Sequence, residues 1–327
     1  MSVVLPYLLL IVGFVVLIKG ADFFVDGACS IAKKLRIPDI VVGLTVVALG
    51  TSLPELAVSL SAAAGGSSDM ALGNVVGSNL INILVILGLS AAILPLTVDK
   101  DMFRRDLPVL MVTAVALPVM TLVGDYKIGR ISGAILTALF IGYIILTVRS
   151  ALAYRNAEGA LALSEGEAPG EESEGKVLSW WLSILFVVGG AALIVFGGDL
   201  SVDAATDIAL QLGVSEAVIG LTVVALGTSL PELVTSAVAA RKGNSDIALG
   251  NVVGSCIFNV LFILGTTALV KPLNVASGSL VDQLVLLGVC AYLFFTAYTG
   301  RKLKRWEGIS YLCIYGVYLA YLLIFTI

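Results

Sequence analysis

Apolar residues occupy ten stretches of the chain, most of them about 20 residues long, with polar segments between them. The stretches cover residues 3–20, 40–64, 70–94, 106–124, 128–148, 178–198, 217–240, 247–270, 280–299 and 306–326. An α-helix needs ~20 apolar residues to cross the hydrocarbon core of a bilayer. Strands of a membrane barrel would instead alternate polar and apolar residues over ~10 positions, and no such segments occur. The pattern predicts an all-α polytopic membrane protein with ten transmembrane helices.

One pair of sequence blocks occurs twice. GLTVVALGTSLPE at 43–55 recurs at 220–232, and DMALGNVVGSNLINILVILG at 69–88 corresponds to DIALGNVVGSCIFNVLFILG at 246–265. The offset between the copies is 177 residues throughout. Because an odd number of predicted spans separates the copies, they cross the membrane in opposite directions. We therefore expect two inverted five-helix repeats, 1–148 and 178–327, joined by the linker 149–177 within one integral transport domain.

Composition supports the membrane assignment, and charge sets the orientation. The chain is 59% hydrophobic and 13% charged, about half the charged fraction of a soluble protein. Most of its 19 Lys and Arg residues fall in one set of alternate loops. Basic loops remain in the cytoplasm, so we expect a multi-pass protein of the cell membrane with both termini extracellular. The 149–177 linker would be cytoplasmic, and its acidic composition is typical of a solvated connector.

Residue usage excludes several classes of function. The chain has no histidine, which removes the commonest metal ligand and proton shuttle. An intramembrane hydrolase would need a nucleophile–base pair or catalytic aspartates inside the spans, so we do not expect an enzyme. No paired spacing indicates a disulfide framework or a zinc site. We expect buried, inert thiols at all four cysteines, which are Cys29, Cys256, Cys290 and Cys313.

Glu55 and Glu232 lie in the middle of two predicted spans. An ionised carboxylate at that depth costs at least ~2.5 kcal/mol. No Lys or Arg lies within the four spans that carry the duplicated blocks. A bound cation would supply the missing positive charge, and a proton is the alternative.

Glycine and proline precede each carboxylate, as Gly50 and Pro54 in the first copy and Gly227 and Pro231 in the second. Proline lacks an N–H and clashes with the carbonyl four residues earlier. We therefore expect helix breaks at these positions, with the carbonyls of 48–51 and 225–228 facing an ion-filled site rather than lipid.

Further oxygen-bearing side chains share a helix face with this site. Thr51 lies four residues before Glu55, and the duplicated blocks repeat that spacing with Ser78 and Asn82, and with Ser255 and Asn259. A set of oxygen ligands of this kind suits Ca²⁺, Na⁺ or Mg²⁺, and a flexible set favours Ca²⁺ over Mg²⁺. Small residues at four positions would let the helices approach closely: Gly73, Gly77, Gly250 and Gly254.

The blocks ALGTSLPEL and GNVVGSNLINILVILG, with their second copies, resemble the α-repeats of the sodium/calcium exchanger family, prokaryotic type, within the cation/calcium antiporter superfamily. The resemblance implies a secondary active antiporter that exchanges about three Na⁺ for one Ca²⁺ by alternating access. Such exchange would be electrogenic. The alternative is an H⁺-driven Ca²⁺/cation antiporter. The bilayer and the transported Na⁺ and Ca²⁺ would be the partners, without a cofactor, nucleic acid or obligate protein partner.

The resemblance also implies roles for individual positions. Glu55 and Glu232 would be the carboxylates that Ca²⁺ and Na⁺ share, joined at the calcium site by the carbonyls of Thr51 and Thr228. The flanking Na⁺ sites would use three residues in each half: Ala48, Ser52 and Ser78, and Ala225, Ser229 and Ser255.

Asn82 and Asn259 would complete a central polar ring by the same resemblance. The position of Asn259 is an aspartate in the potassium-dependent branch of the superfamily and in some prokaryotic relatives. With asparagine at both places only two formal negative charges remain in the centre, and we expect transport that does not need K⁺. The resemblance further suggests that the first and sixth helices are sliding gates. Four aspartates, placed near the ends of those predicted spans, would be either solvated or part of cation-attracting vestibules: Asp22, Asp26, Asp199 and Asp203.

Overall fold

The computed structural model describes residues 4–165, 177–212 and 225–325. These residues form helices joined by short connections that contain four two-residue strands. The helices are α1 (Leu5–Leu35), α2 (Asp39–Thr51), α3 (Leu53–Ala64), α4 (Ser68–Ile93), α5 (Met102–Val123), α6 (Arg130–Glu165), α7 (Trp180–Gln211), α8 (Ala225–Thr228), α9 (Leu230–Arg241), α10 (Ser245–Val270), α11 (Ser279–Tyr298) and α12 (Arg305–Phe325).

Seven of the described helices are long and apolar enough to cross a membrane, and the bent pair α2–α3 makes eight. The chain is therefore an all-helical, multi-pass membrane protein. The full set of ten spans stays a prediction, because the seventh predicted span, 217–240, begins outside the described residues. Its described part is α8 and α9, and the tenth predicted span coincides with α12.

Helices α1 and α7 are longer than the sequence predicted. They contain 31 and 32 residues, about 46 and 48 Å, whereas the predicted spans ended at residues 20 and 198. The apolar runs are interrupted there by Asp22 and Asp199, but α1 continues because Phe24, Ala28 and Ala32 bury one helical face. The aspartates predicted at the ends of these spans therefore lie inside the helices.

The linker is also partly helical. Helix α6 continues to Glu165, so the first part of the predicted 149–177 connector extends a membrane helix. Residues 166–176 of that connector lie outside the described residues. The division into two repeats and a linker stays a prediction.

Helices α1 and α7 pack antiparallel along a line of glycines that we call the glycine seam: Gly13, Gly20, Gly27, Gly190 and Gly197. A Cβ built on Gly20 would lie 2.8 Å from the backbone nitrogen of Ile194. The two backbones therefore touch, which only residues without a side chain allow. The seven-residue spacing of these glycines was not among the features predicted from the sequence.

Two short antiparallel strand pairs join the halves of the chain. Strand β1 (Leu96–Thr97) pairs with β4 (Lys302–Leu303), and β2 (Lys127–Ile128) pairs with β3 (Leu273–Asn274). In each pair one strand comes from the first half of the chain and the other from the second. The pairs therefore hold connections from the two halves together.

Helix α10 is the most enclosed of the seven described helices that could each cross a membrane, with 94% of its apolar window buried. Two of its glycines contact the backbone of α2, where a Cβ on Gly250 would lie 2.9 Å from Ile40 O and a Cβ on Gly254 would lie 2.9 Å from Leu44 Cα. The predicted close approach is confirmed for these two glycines. Gly73 and Gly77 have no such neighbour among the described residues, and the segment of the second half that corresponds to α2 begins outside them.

Candidate functional site

Both spans that carry the carboxylates are broken at a serine. Ser52 (φ −89°, ψ 8°) separates α2 from α3, which meet at 46°, and Ser229 (φ −93°, ψ 5°) separates α8 from α9. The breaks were predicted at the flanking glycine and proline. Pro54 instead lies in the first turn of the new helix, where its missing N–H leaves no additional backbone group unpaired within the helix.

The glycines on the other side of each break remain helical and contact the glycine-seam helices. A Cβ on Gly50 would lie 3.0 Å from the Phe24 ring of α1, and a Cβ on Gly227 would lie 2.5 Å from a methyl carbon of Val202 on α7. These two glycines therefore bring α1 and α7 against the breaks. Their carbonyls lack the usual N–H donor, because a proline stands four residues later in each copy.

Glu55 and Glu232 are fully buried and meet across the two halves. The hydroxyl of Ser52 donates to Oε1 of Glu232 at 2.8 Å, and that of Ser229 donates to Oε1 of Glu55 at 3.4 Å. Each carboxylate thus takes a hydrogen bond from the break in the opposite half. The two carboxylates are also close enough for their charges to interact.

The second oxygen of each carboxylate, Oε2, is buried and has no hydrogen-bond partner in the described part of the chain. Within those same ranges neither carboxylate forms an ion pair with a Lys or Arg. Asp106, another fully buried carboxylate, is neutralised by a neighbouring base: Arg105 donates two hydrogen bonds to it at 2.8 and 3.0 Å. The pair Glu55–Glu232 lacks such a base and therefore suits a cation from outside the protein.

Neutral oxygens surround the carboxylates. Ser255 lies beside Glu232. Asn82 lies beside Cys256, and Cys256 is close enough to Glu232 to experience its charge. Among the residues predicted for the site, four more side-chain oxygens are buried without a hydrogen-bond partner in the described part of the chain: Asn82 Oδ1, Asn259 Oδ1, Ser255 Oγ and Thr228 Oγ1. Each unpaired buried polar group costs about 1–3 kcal/mol. A cation that accepts these oxygens as ligands would remove the cost.

The predicted residues of the first half lie on α2, on α4 and at the break between α2 and α3. Ser78 is buried on α4, one turn before Asn82. The Thr51 hydroxyl is within hydrogen-bond distance of Val47 O and of Asn251 Oδ1, at 3.1 Å each. The Ala48 carbonyl, predicted to be free, accepts from the Ser52 amide at 3.1 Å, so only its second lone pair can face an ion.

Among the predicted residues of the second half, Ala225 begins α8, and its side chain lies outside the described atoms. Ser229 and Ser255 are buried. Residues 213–224, which precede the break, are not described.

Two asparagines that the sequence analysis missed support the backbone of the carboxylates. Asn74 Nδ2 donates to the carbonyl of Glu55 at 3.2 Å and to Ser59 Oγ at 2.9 Å. Asn251 Nδ2 makes the corresponding bonds to Glu232 O at 3.3 Å and Ser236 Oγ at 2.8 Å. Both belong to the duplicated blocks, and an amide repeated inside an apolar span was the available signal.

A π-helical turn begins at each predicted asparagine, as Asn82–Leu87 in α4 and Asn259–Leu264 in α10. Such turns are rare and frequently mark functional sites. The apolar residues that follow each asparagine gave no indication of the wider turn.

The cysteines are all free. Cys256 and Cys290 are buried and Cys29 is half-buried, but Cys313 is exposed on α12, so the expectation of a buried thiol is wrong there. Within the described ranges, no group of three or more His, Cys, Asp or Glu side chains could hold a metal. A cation at this site would therefore rely on the two carboxylates and neutral oxygens.

Comparisons with known proteins point the same way. A family model described as "Sodium/calcium exchanger protein" matches residues 5–149 and 182–324. The chain is 35% identical to the sodium/calcium exchanger MaX1 of Methanosarcina acetivorans over 97% of its own length and 98% of that relative. It is 38% identical to the inner membrane protein YrbG of Escherichia coli, over 81% of this chain and 79% of that protein. A solved structure of the sodium-calcium exchanger NCX_Mj superposes with a TM-score of 0.82 at 33% identity and covers 98% of this chain and 99% of that one.

Proposed function

Because the chain belongs to the sodium/calcium exchanger protein family, we propose that it is a secondary active antiporter that exchanges Na⁺ for Ca²⁺ across the cell membrane. The observation that carries the proposal is the buried pair Glu55–Glu232. Each carboxylate has one oxygen without a partner and no base beside it in the described residues. The names of the relatives MaX1 and NCX_Mj, both sodium/calcium exchangers, support the choice of ions.

Competition for the same oxygens would couple the two ions. The two carboxylates carry two negative charges, which one Ca²⁺ neutralises. About three Na⁺ would leave one net positive charge, so the two loaded states differ by a charge and exchange is electrogenic. Moving that charge through 100 mV contributes ~2.3 kcal/mol. Because Na⁺ and Ca²⁺ would use the same ligands, the protein would reorient with either Na⁺ or Ca²⁺ bound, but not with both.

We further propose ten spans in two inverted repeats that alternate in access. The contacts that recur at the 177-residue offset support this: Ser52 on Glu232 with Ser229 on Glu55, and the two asparagine clamps. The asymmetry of basic loops supports extracellular termini and a cytoplasmic linker. Asn259 in place of an acid supports transport without K⁺.

The test is Ca²⁺ uptake into proteoliposomes that are loaded with Na⁺ and diluted into Na⁺-free medium. An outward Na⁺ gradient alone should drive uptake. Glu55→Gln should abolish it, whereas Asp125→Asn, which neutralises an exposed carboxylate outside the site, should not. An inside-positive membrane potential should stimulate uptake, because it drives the net positive charge out of the vesicle. Replacing K⁺ with choline should leave uptake unchanged.

Proton coupling is the competing outcome. The same two carboxylates could each carry a proton, and a pH gradient would then replace the Na⁺ gradient. Uptake that a pH gradient drives in the absence of Na⁺ would contradict Na⁺ coupling and establish the H⁺-driven alternative.

A further inference from the structure

We infer that Asn79 is a positioning residue that orients the amide of Asn259, so that the Asn259 oxygen points to the transported cation. The inference rests on the proposed function, because it names a further residue of the same site. Asn79 lies on α4 and is buried. It is outside the set of oxygen ligands predicted from the sequence.

Hydrogen-bond chemistry fixes the orientation of both amides. Asn79 Nδ2 donates to the backbone carbonyl of Cys256 at 3.2 Å. A carbonyl can only accept, so the other end of the Asn79 amide, Oδ1, must face away from it. That oxygen faces Asn259, whose Nδ2 donates to it at 3.0 Å. Asn259 Oδ1 is consequently turned away from Asn79, and it is buried without a partner in the described part of the chain.

The second half of the chain lacks this arrangement. Position 256 corresponds to position 79 by the 177-residue offset, and it is a cysteine. The Cys256 thiol donates to the carbonyl of Asn79 at 3.8 Å, which mirrors the donation from Asn79. A sulfur is only a weak acceptor, so Cys256, although it lies beside Asn82, holds that amide much more weakly than Asn79 holds Asn259. Both polar atoms of the Asn82 amide are without a partner among the described residues.

The two central amides are therefore unequal as ligands. A ligand already held in its binding orientation loses less conformational freedom when the ion arrives. Asn259 is held in this way, and Asn82 must be oriented by the ion itself. We expect Asn79 to act on the affinity for the cation more than on the rate of the conformational change.

Exchanging the two residues tests the inference. Asn79→Cys keeps a donor toward the Cys256 carbonyl but removes the acceptor for Asn259. Cys256→Asn supplies the missing acceptor beside Asn82. The measurement is equilibrium binding of ⁴⁵Ca²⁺ to the purified full-length protein in lipid nanodiscs, under reducing conditions that keep the thiols free. Thermal unfolding of each variant is followed in parallel.

Asn79→Cys should raise the Kd for Ca²⁺ by about 3- to 10-fold, the effect of one hydrogen bond. The maximal rate of uptake at saturating Ca²⁺ should stay near that of the wild type. Cys256→Asn should lower the Kd by a similar factor, and the double variant should return to near the wild-type value.

An unchanged Kd in Asn79→Cys, or a Kd that rises in Cys256→Asn while the variant remains folded, would overturn the inference. If Asn79→Cys does not fold, the direction of the change in Cys256→Asn decides alone. Binding is independent of the driving ion, so a failure of Na⁺ coupling leaves this test intact. Absence of Ca²⁺ binding to the wild-type protein would overturn the proposed function instead.

Discussion

Two adjacent glycines on α7 provide the sharpest test of the packing. A Cβ on Gly190 would lie 2.7 Å from the backbone nitrogen of Phe24 and 2.8 Å from the carbonyl oxygen of Gly20, whereas a Cβ on Gly189 would meet no atom of the described residues within 4 Å. Alanine at either position gains the same helical preference over glycine. Only the alanine at 190 must separate the two helices.

The magnitude follows from these distances. Carbon atoms pack at ~3.5–4.0 Å, so α1 and α7 would have to separate by about 0.7 Å at Gly190. Overpacking of this kind costs about 1–3 kcal/mol, whereas alanine in a helix interior is favoured over glycine by about 1 kcal/mol. The helical preference is the same at both positions and cancels, so Gly190→Ala should be less stable than Gly189→Ala by about 1–3 kcal/mol.

Thermal unfolding in detergent, with Na⁺-driven Ca²⁺ uptake as a second measurement, checks this difference. Gly189→Ala should unfold at the wild-type temperature or slightly above it and should transport normally. Gly190→Ala should unfold several degrees below Gly189→Ala and should transport more slowly than that variant. Equal unfolding temperatures for the two variants would refute the direct backbone contact between α1 and α7.

Three further pairs of measurements follow from the site and its surroundings. Lys242 donates to the Asp26 carboxylate of α1 at 2.7 Å, so Lys242→Met should lower stability by at most about 1 kcal/mol. That loss should disappear in 1 M choline chloride, where salt shortens the range of electrostatic interactions to ~3 Å. A loss that persists would argue against an ionic origin. Asn251 makes one more side-chain hydrogen bond than Asn74, because its Oδ1 also accepts from the Thr51 hydroxyl. Asn251→Ala should therefore lower the free energy of unfolding by about 1 kcal/mol more than Asn74→Ala. Equal losses in the two variants would contradict this. Ser52 donates to the Glu232 carboxylate at 2.8 Å, and Ser229 donates to the Glu55 carboxylate at 3.4 Å. Ser52→Ala should therefore raise the half-maximal Na⁺ concentration for uptake about 3- to 10-fold, and Ser229→Ala should raise it less. A larger effect of Ser229→Ala would contradict this geometry.

Sequence reasoning reached the features that depend on composition and repetition. The apolar runs predicted the helices, and the duplicated blocks led to Glu55 and Glu232. The serine hydrogen bonds that cross between the halves require both copies to be packed together, and no local pattern reports that. The break at Ser52 rather than at its neighbours depends on where the new helix can begin, which proline in the first turn decides.

The missed features depend on partners far away in the chain. The ends of α1 were underestimated because Asp22 interrupts the apolar run, although the residues beyond it bury a helical face. Asn79 was not predicted because the corresponding residue of the second block is Cys256, so the side chain is not repeated between the two copies. Its role depends on the carbonyl that its amide contacts on α10.

The glycine seam also determines the order in which the protein can be assembled. Helix α1 begins at Leu5 and its partner α7 at Trp180, so 175 residues of synthesis separate the two starts (180 − 5). At ~5–20 residues per second, α1 waits for roughly 10–35 s before α7 is made. During that time Gly13, Gly20 and Gly27 present bare backbone to lipid or to the insertion machinery. The first half cannot reach its final packing alone, and its completion must await the synthesis of the second.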